Sequence, residues 1–344
     1  MSEKKIRKRR EFSQKTTIHD VGREAGVSSI TVSRYFRSPE RVSESTRKRV
    51  EQAVQKLNYV PNRIAGTLAS NRSNIVAVIV PNITNSIFAE TLQAIEDSLR
   101  PSGLHLLIGH SNYSLQTEED LVRTFLAHRP DGIILTGYTH SENTVEMVRA
   151  AGIPVVQIWN ITQSPIGVNV GVSSYDAAYT MTRYLIGKGY RNIAYIGGHV
   201  TNNDRTVQRE SGFLKALDEA GIHFNNNLLQ RCNFEFLAGG QALENIMKAD
   251  PDVEAVFAAS DILAVGAMLK CQELNIKIPN DLALAGYDDA GISSLMSPPL
   301  TTVAVPRYEI GSQAAQAILK GLNGDPQKPQ CIDLGFKIVQ RGSA

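Results

Sequence analysis

The sequence predicts two folded parts: a small all-α head and a larger α/β core built of two parallel-sheet lobes. The length of 344 residues exceeds what one average domain needs. Charge is divided along the chain, since residues 1–72 hold 17 Lys+Arg against 7 Asp+Glu, whereas the whole chain has a net charge of only +2. From Ile75 onward, short apolar runs alternate with amphipathic segments, as in α/β folds.

Composition excludes several classes of protein. With 42% hydrophobic residues, the chain is not disordered in bulk. The longest apolar run, Ile75–Val80, is far shorter than the roughly 20 residues of a membrane span, and no apolar segment follows the basic N-terminus. We therefore expect a cytoplasmic protein without membrane contact. Three widely spaced cysteines match neither a disulfide framework nor a zinc site, so no metal or other cofactor is expected.

The divided charge predicts an anionic polymer as the partner of the first part. Residues 1–72 have a balance of +10 (17 against 7), and the remaining residues a balance of −8 (19 against 27). Residues 1–16 are expected to be a disordered basic tail, and the run Lys4–Arg10 alone could be no more than a solubilising tail. Excess positive charge continues, however, through a segment that is patterned to fold.

Two helices joined by a tight turn are predicted directly after this tail. Thr17 and Asp20 have the spacing of a capping box, which begins a helix, and Gly26 ends that helix. A second helix is predicted over Ser29–Phe36. This order of helix, glycine-containing turn and helix is the unit that places its second helix in a DNA major groove.

A third helix completes the predicted head, residues 17–60. Ser43 marks its start, and an apolar stripe at helical spacing follows, formed by Val50, Ala53, Val54 and Leu57. Such a stripe can close a three-helix core. The sequence therefore predicts a helix-turn-helix DNA-binding head.

Five strings of the head form a recognisable pattern in this order: Ile18–Val21, Ala25–Ser28, Thr31–Arg34, Val42–Ser43 and Leu57–Asn62. With them, the head closely resembles the N-terminal domain of the lactose-repressor family of bacterial transcription regulators, with almost no gaps over Thr17–Ala69. The resemblance implies that Ser29, Ile30 and Arg34 reach base edges in the major groove. Arg34 can then pair with guanine through two hydrogen bonds.

The resemblance also implies DNA contacts outside the base-reading set. Backbone or register contacts are implied for Thr17, Ile18, Ser28, Thr31, Ser33 and Asn62. For Thr31 and Ser33, helix packing and capping explain the residue types equally well. Residues 61–74 match the hinge helix and linker of the family, with Ala65 at the DNA and Leu68 wedged between base pairs. From the residues alone, this segment also fits a plain linker.

The core alternates predicted strands and helices, which implies parallel sheets covered on both faces. The number of predicted strands is too large for a single sheet, so residues 75–344 are expected to form two lobes. The predicted strands are Ile75–Val80, Leu104–Gly109, Gly132–Thr136, Val155–Ile158, Ile193–Ile196, Val256–Ala258 and Leu282–Gly286. The predicted helices are Ile87–Leu99, Glu118–His128, Val145–Ala150, Ala177–Gly187, Gly212–Ala220 and Ile262–Leu274.

Ligands of such sheets bind at the carboxyl ends of the strands. Residues after the predicted strands include Asn82–Phe88, Ser111–Tyr113, Tyr138, Trp159–Thr162, Gly197–Arg209, Ser260 and Tyr287–Asp289. Tyr138, Trp159 and Ser260 are therefore candidate effector-binding residues.

The core resembles the same family, whose core is similar to periplasmic sugar-binding proteins. The elements Arg209–Phe213 and Gly286–Asp289 carry this resemblance. It implies that Arg209 and Asp288 bind an effector and that Phe88 and Phe234 form aromatic walls. Without the resemblance, Arg209 fits an exposed helix position better, and the two phenylalanines fit ordinary core positions.

The expected effector is a sugar acid. Ser260 and Trp159 stand where the family often has Asn and Asp, and losing these polar groups while keeping Arg209 favours an acidic ligand over a neutral sugar. Asn82–Ile108 and Leu135–Val156 look most like the gluconate-utilisation repressors of the family. Gluconate or a related acid that releases the protein from DNA is therefore predicted, with a neutral or phosphorylated sugar, or an activator role, as the alternative.

No enzyme is predicted, because the sequence has no phosphate-binding loop, dinucleotide fingerprint, metalloprotease motif or nucleophile elbow. A solute-binding protein without a DNA role is the least favoured alternative, since the basic head argues against it. The chain ends at Arg341–Ala344 without a leucine heptad, so a homodimer on a pseudo-palindromic operator is expected.

Overall fold

The computed structural model describes residues 16–60, 72–325 and 328–344. The chain divides into two compact units, Met1–Asn71 and Arg72–Ala344. The predicted basic tail, apart from Thr16, lies outside the described residues. So do residues 61–71 of the predicted hinge, with Asn62, Ala65 and Leu68.

The first unit contains the three predicted helices, and local capping explains where two of them begin. The Thr17 hydroxyl accepts from the Asp20 amide, and the Thr17 amide donates to the Asp20 carboxylate at 2.9 Å. Gly26, with φ of 64°, ends the first helix in the left-handed conformation that glycine adopts readily. Ser28 then caps the next helix by accepting from the Thr31 amide at 3.2 Å. The helices are α1 (Ile18–Ala25), α2 (Ser29–Arg37) and α3 (Glu44–Lys56), with a 3₁₀ turn at Pro39–Arg41.

Small and β-branched side chains form the core of the head. Val21, Val32 and Val50 are fully buried, and Ala25 and Ala53 pack beside them. Each buried valine contributes about 1.5–2 kcal/mol of hydrophobic stabilisation. The predicted stripe of α3 is confirmed, because two of its members face this core and the other two, Val54 and Leu57, are partly buried against it.

The second unit contains two six-stranded sheets, which confirms the two predicted parallel-sheet lobes. The first lobe has the strand order β11-β5-β4-β3-β1-β2, and the second has β12-β10-β9-β8-β6-β7. Every pairing is parallel except that of β12 with β10 at the sheet edge. The first-lobe strands are β1 (Ile75–Val80), β2 (His105–His110), β3 (Gly132–Thr136), β4 (Val155–Asn160), β5 (Val168–Val172) and β11 (Gln330–Asp333). The second-lobe strands are β6 (Ile193–Gly197), β7 (Leu229–Arg231), β8 (Ala255–Ala258), β9 (Ala283–Asp288), β10 (Thr301–Ala304) and β12 (Lys337–Val339).

Helices cover both sheets, and the chain passes between the lobes more than once. After β5 it enters the second lobe, after β10 it returns to the first, and after β11 it enters the second again. Each lobe is therefore built from distant parts of the chain. The helices are α4 (Ile87–Leu99), α5 (Leu115–Ala127), α6 (Glu142–Ala150), α7 (Ser174–Gly187), α8 (Asp204–Glu219), α9 (Phe236–Ala249), α10 (Asp261–Glu273) and α11 (Arg307–Leu322). Among the helices described, none is long and apolar enough to cross a bilayer.

Several predicted element boundaries were wrong. The helix predicted from Gly212 begins at Asp204, so Arg209 lies inside α8 rather than in a loop after a strand. The first turns of α8 are largely polar and lack the apolar period that marks a helix in sequence. Helices α5 and α6 also begin three residues earlier than predicted, after the caps Ser114 and Ser141. Elements without a prediction are β5, β7, β10, β11, β12, α9 and α11.

Gly212 allows α8 to approach α7 closely. A Cβ atom at this position would lie 2.2 Å from the backbone oxygen of Tyr175 on α7. The next residue, Phe213, is fully buried, with its ring centroid 4.9 Å from that of Tyr195 on β6. The Arg209–Phe213 element therefore combines a helix contact, a core aromatic and an arginine on one helix.

We predict that Gly212→Ala lowers the free energy of unfolding by about 1–3 kcal/mol, because the added methyl group forces α7 and α8 apart. Urea denaturation of the purified protein measures the change. Gly187→Ala is the matched control, since Gly187 lies on α7, the other helix of the pair, and a Cβ there meets nothing within 4 Å. The control should be neutral or stabilising by up to about 1 kcal/mol. Equal losses in both variants would contradict the close approach.

Candidate DNA interface and ligand cleft

The second helix of the head presents an exposed face with an apolar and a basic side chain. Ile30 is 69% exposed, and Arg34, one turn later, is also exposed. Val32 lies on the opposite side of α2 and is fully buried. Within the described residues, the Arg34 guanidinium makes no hydrogen bond or ion pair. Ser29 is half-buried at the border of the exposed face. The two side chains best placed to reach a partner are Ile30 and Arg34.

The other predicted DNA contacts of the head have protein partners already. The Thr17 hydroxyl donates to the Asp20 carboxylate at 2.6 Å. The hydroxyls of Ser28 and Thr31 lie 3.0 Å apart. Ile18 is half-buried and packs against the head core, so its side chain is not exposed as that of Ile30 is. Ser33 is half-buried. Capping and packing thus account for several of these residue types.

A cleft between the lobes brings most predicted effector residues together. It lies at the carboxyl ends of the strands and is partly open to solvent. The predicted residues in its lining are Phe88, Trp159, Arg209, Phe234 and Ser260. Tyr138 is not in the lining. Its backbone amide instead donates to the Asp204 carboxylate at 2.8 Å, so the prediction for its side chain has no support from the geometry.

Aromatic rings from both lobes form the walls. Phe88 and Trp159 of the first lobe meet edge to face, with ring centroids 5.0 Å apart. Tyr113 of the first lobe faces Phe234 of the second at 6.0 Å. Trp159 has φ of 84°, which is strained for a large residue within a strand. Phe88 and Trp159 are both buried, so they serve the first-lobe core and the cleft together.

Arg209 is buried in the wall of the cleft. It is 4% exposed, its Nη1 donates to the Ala259 carbonyl at 2.6 Å, and its guanidinium carbon lies 3.8 Å from the ring centroid of Tyr287. Burial lowers the pKa of Arg209, but Tyr287 and Asp288 outweigh it and raise the pKa above its ordinary value. The alternative of an exposed helix position is therefore wrong.

Asp288 lies one hydrogen bond behind the cleft lining. Its Oδ2 accepts from the Ser260 hydroxyl at 2.8 Å, while its buried Oδ1 has no hydrogen-bond partner among the described residues. Burial raises the pKa of Asp288, although Arg209 and Ser260 act in the opposite direction. Its φ of 114° is again unusual for a residue with a side chain. Ser260, rather than Asp288, reaches the cleft directly.

Sequence reasoning missed three important cleft residues. Arg205 and Asn203 line the cleft at the start of α8, and Tyr113 lines it after β2. All three fall within Ser111–Tyr113 and Gly197–Arg209, segments that follow predicted strands and are therefore candidate positions for ligand contacts. No signal in the sequence marks the start of this helix at Asp204. A helix that begins there places Arg205 and Arg209 one turn apart on one face.

Asp204 joins the lobes beside this cleft. Its Oδ2 accepts from the amides of Tyr138 at 2.8 Å and Thr139 at 3.2 Å, and its Oδ1 accepts from the Asn160 side chain at 3.0 Å. All three donors belong to the first lobe, whereas α8 covers the second. In the part of the chain that the structure describes, no three His, Cys, Asp or Glu side chains come together as a metal site needs.

Comparisons with known proteins agree with both units. The model of "Bacterial regulatory proteins, lacI family" matches residues 17–62, and that of "Periplasmic binding protein-like domain" matches residues 182–344. The HTH-type transcriptional regulator GntR of Pseudomonas aeruginosa is 37% identical over 329 residues, which cover 95% of each chain.

Solved structures give the same result. A LacI-family transcriptional regulator from Silicibacter pomeroyi has a TM-score of 0.89 and 34% identity, with 95% of this chain and 99% of that chain covered. The lac repressor dimer bound to operator and the anti-inducer ONPF has a TM-score of 0.80 and 25% identity over 96% and 99% of the two chains. The chain therefore belongs to the lacI family of bacterial regulatory proteins and is a DNA-binding transcriptional regulator.

Proposed function

We propose that this regulator is a repressor that binds a pseudo-palindromic operator as a homodimer and is released by gluconate or a related sugar acid. One observation carries the proposal: the buried guanidinium of Arg209, held by the Ala259 carbonyl and the Tyr287 ring, lies in the wall of the cleft between the lobes. A planar guanidinium binds carboxylates and neighbouring hydroxyls through paired hydrogen bonds. The aromatic walls supply the apolar surface that small-molecule sites use.

The DNA side of the proposal depends on α2. Ser29, Ile30 and Arg34 are the proposed base-reading residues, with Ile30 against a thymine methyl and Arg34 on a guanine. Two recognition helices related by twofold symmetry fit two half-sites of an operator. The solved lac repressor relative, a dimer on its operator, supports this assembly. Hinge contacts at Asn62, Ala65 and Leu68 belong to the same proposal and lie outside the described residues.

We expect the bound effector to release the protein from its operator. Repression relieved by the substrate suits a regulator of sugar-acid use, which the resemblance to gluconate-utilisation repressors implies. In a band-shift titration, gluconate should reduce the fraction of operator bound by the protein. Stronger operator binding with increasing gluconate would reverse this part of the proposal.

We predict that Arg34→Ala lowers the preference for operator over unrelated DNA by about 5- to 150-fold, because the paired hydrogen bonds to guanine are lost. Binding to unrelated DNA should change much less. Competition band shifts with operator and a scrambled duplex, at one fixed salt concentration, measure both affinities. Arg149→Ala, which removes the same charge from the exposed end of α6, is the control and should keep the preference. Equal preference in Arg34→Ala and wild type would exclude base reading by Arg34.

We predict that Arg209→Ala weakens gluconate binding by at least about 10-fold, because a charge-assisted hydrogen bond in a buried site is lost. Operator affinity without effector should stay within about twofold of wild type, well under 1 kcal/mol. Calorimetry and band shifts measure the two affinities on the same preparation, with Arg149→Ala as control. Loss of operator binding by a folded Arg209→Ala protein would show that the roles are not separate. Micromolar binding of a neutral sugar or purine by wild type, with no binding of any aldonic acid, would overturn the effector class.

A further inference from the structure

We propose that Arg205 is the specificity-determining residue that binds the carboxylate of the sugar acid, whereas Arg209 binds its hydroxyl groups. This inference rests on the proposed function and names the residue that distinguishes an acid from a neutral polyol. Arg205 and Arg209 are one helical turn apart on α8, and both line the cleft. Arg205 is 6% exposed, so its charge is largely removed from water.

The two arginines differ in how many hydrogen-bond donors remain for a ligand. Arg209 already donates from Nη1 to the Ala259 carbonyl and stacks on Tyr287, and of its buried nitrogens only Nε lacks a hydrogen-bond partner among the described residues. The Arg205 guanidinium makes no hydrogen bond within the described residues. Its nearest acidic partner is Asp204, whose Oδ1 lies 3.7 Å from Nη1, longer than a hydrogen bond. A nearly buried fork with unused donors is costly unless an anionic acceptor completes it.

Asp204 does not need Arg205 as its partner. Its two oxygens already accept the three N–H donors of the first lobe that were described above. Three hydrogen bonds stabilise a carboxylate well without a cation. Arg205 can therefore bind a ligand carboxylate in place of Asp204. The oxygens of Asp204 then still accept their three hydrogen bonds from the first lobe.

The first lobe leaves space for the Asp204–Arg205 pair at Gly137. At this residue, directly after β3, a Cβ atom would lie 2.3 Å from Arg205 Nη1 and 2.3 Å from Asp204 Oδ2. Gly137 has φ of 81°, a conformation that other residues rarely adopt. Glycine at this point therefore leaves room for both the guanidinium and the Asp204 carboxylate between the lobes. The Arg205 guanidinium thus packs directly against the backbone of the first lobe.

Both guanidinium groups act on the same part of the cleft. Burial raises the pKa of Tyr113, and Arg205 and Arg209 each oppose that rise, so both charges are close to this ring. The carboxylates nearby are Asp204, with its three donors, and Asp288, which lies behind Ser260. A ligand carboxylate would balance the second positive charge, which a neutral polyol cannot do.

Calorimetry with gluconate and glucitol tests the proposal, because glucitol has the same six-carbon chain with an alcohol in place of the carboxylate. Wild type should prefer gluconate. Arg205→Gln should bind gluconate about 10- to 100-fold more weakly, with little change for glucitol, so that the preference is lost. Arg205→Lys keeps the positive charge but lacks the planar guanidinium. Its affinity for gluconate should therefore lie between those of wild type and Arg205→Gln. Arg149→Gln is the matched control and should behave as wild type.

The outcomes separate this inference from the proposed function. If wild type shows no preference for gluconate, the acid effector itself is wrong, and the role of Arg205 is lost with it. If wild type prefers gluconate and folded Arg205→Gln keeps that preference, Arg205 is not the specificity residue, although the proposed function stands. Equal weakening of both ligands, with a lower melting temperature, would assign Arg205 a structural role. If Arg205→Gln does not fold, Arg205→Lys decides, since affinity equal to wild type would exclude recognition by the fork.

Discussion

The carboxylate of Asp204 is the interaction on which the geometry of the cleft depends. It accepts from two consecutive backbone amides after β3 and from the Asn160 side chain at the end of β4. Asn160 in turn accepts from the amide of Ser174 at the start of α7, where the chain enters the second lobe. The first turn of α8 is thereby tied to the first lobe. Because Arg205 and Arg209 follow Asp204 on the same helix, the same hydrogen bonds set their positions in the cleft.

The residues of the Gly286–Asp289 element contact neighbouring side chains that the resemblance to the family does not reveal. A Cβ atom at Gly286 would lie 2.2 Å from Asp261 Oδ1, so glycine makes room for that buried acid. Tyr287 holds the Arg209 guanidinium, and Asp288 holds the Ser260 hydroxyl. Burial and the nearby Asp288 charge raise the pKa of Asp261 to about 7. Gly286, Tyr287 and Asp288 thus each support a neighbouring side chain, and none of the three lines the cleft itself.

An element could be predicted from the sequence where interactions between neighbouring residues determine it. The head was predicted well because capping by Thr17 and Ser28 and the stripe of α3 depend on neighbouring residues. The strands β1, β3, β4, β6, β8 and β9 were found because their apolar runs are buried on both faces, whereas the equally buried β5 was missed because Asn169 and Gly171 interrupt its apolar run. The start of α8 was missed because tertiary hydrogen bonds of Asp204 and Arg209, rather than apolar periodicity, hold its polar first turns. Edge strands β11 and β12 are short and partly exposed, so their sequences carry little signal.

A ligand in this cleft would touch both lobes, since Phe88, Tyr113 and Trp159 come from the first and Arg205, Arg209 and Phe234 from the second. Such a ligand stabilises the arrangement in which these groups converge, and it can shift the equilibrium only by its differential affinity for that arrangement. Linkage is reciprocal, so an effector that weakens operator binding by a given factor must itself bind the operator complex more weakly by the same factor. The contact between Gly137 and Arg205 lies at the boundary of the lobes. Recognition of a carboxylate there would therefore make effector selectivity and the size of the response depend on the same residue.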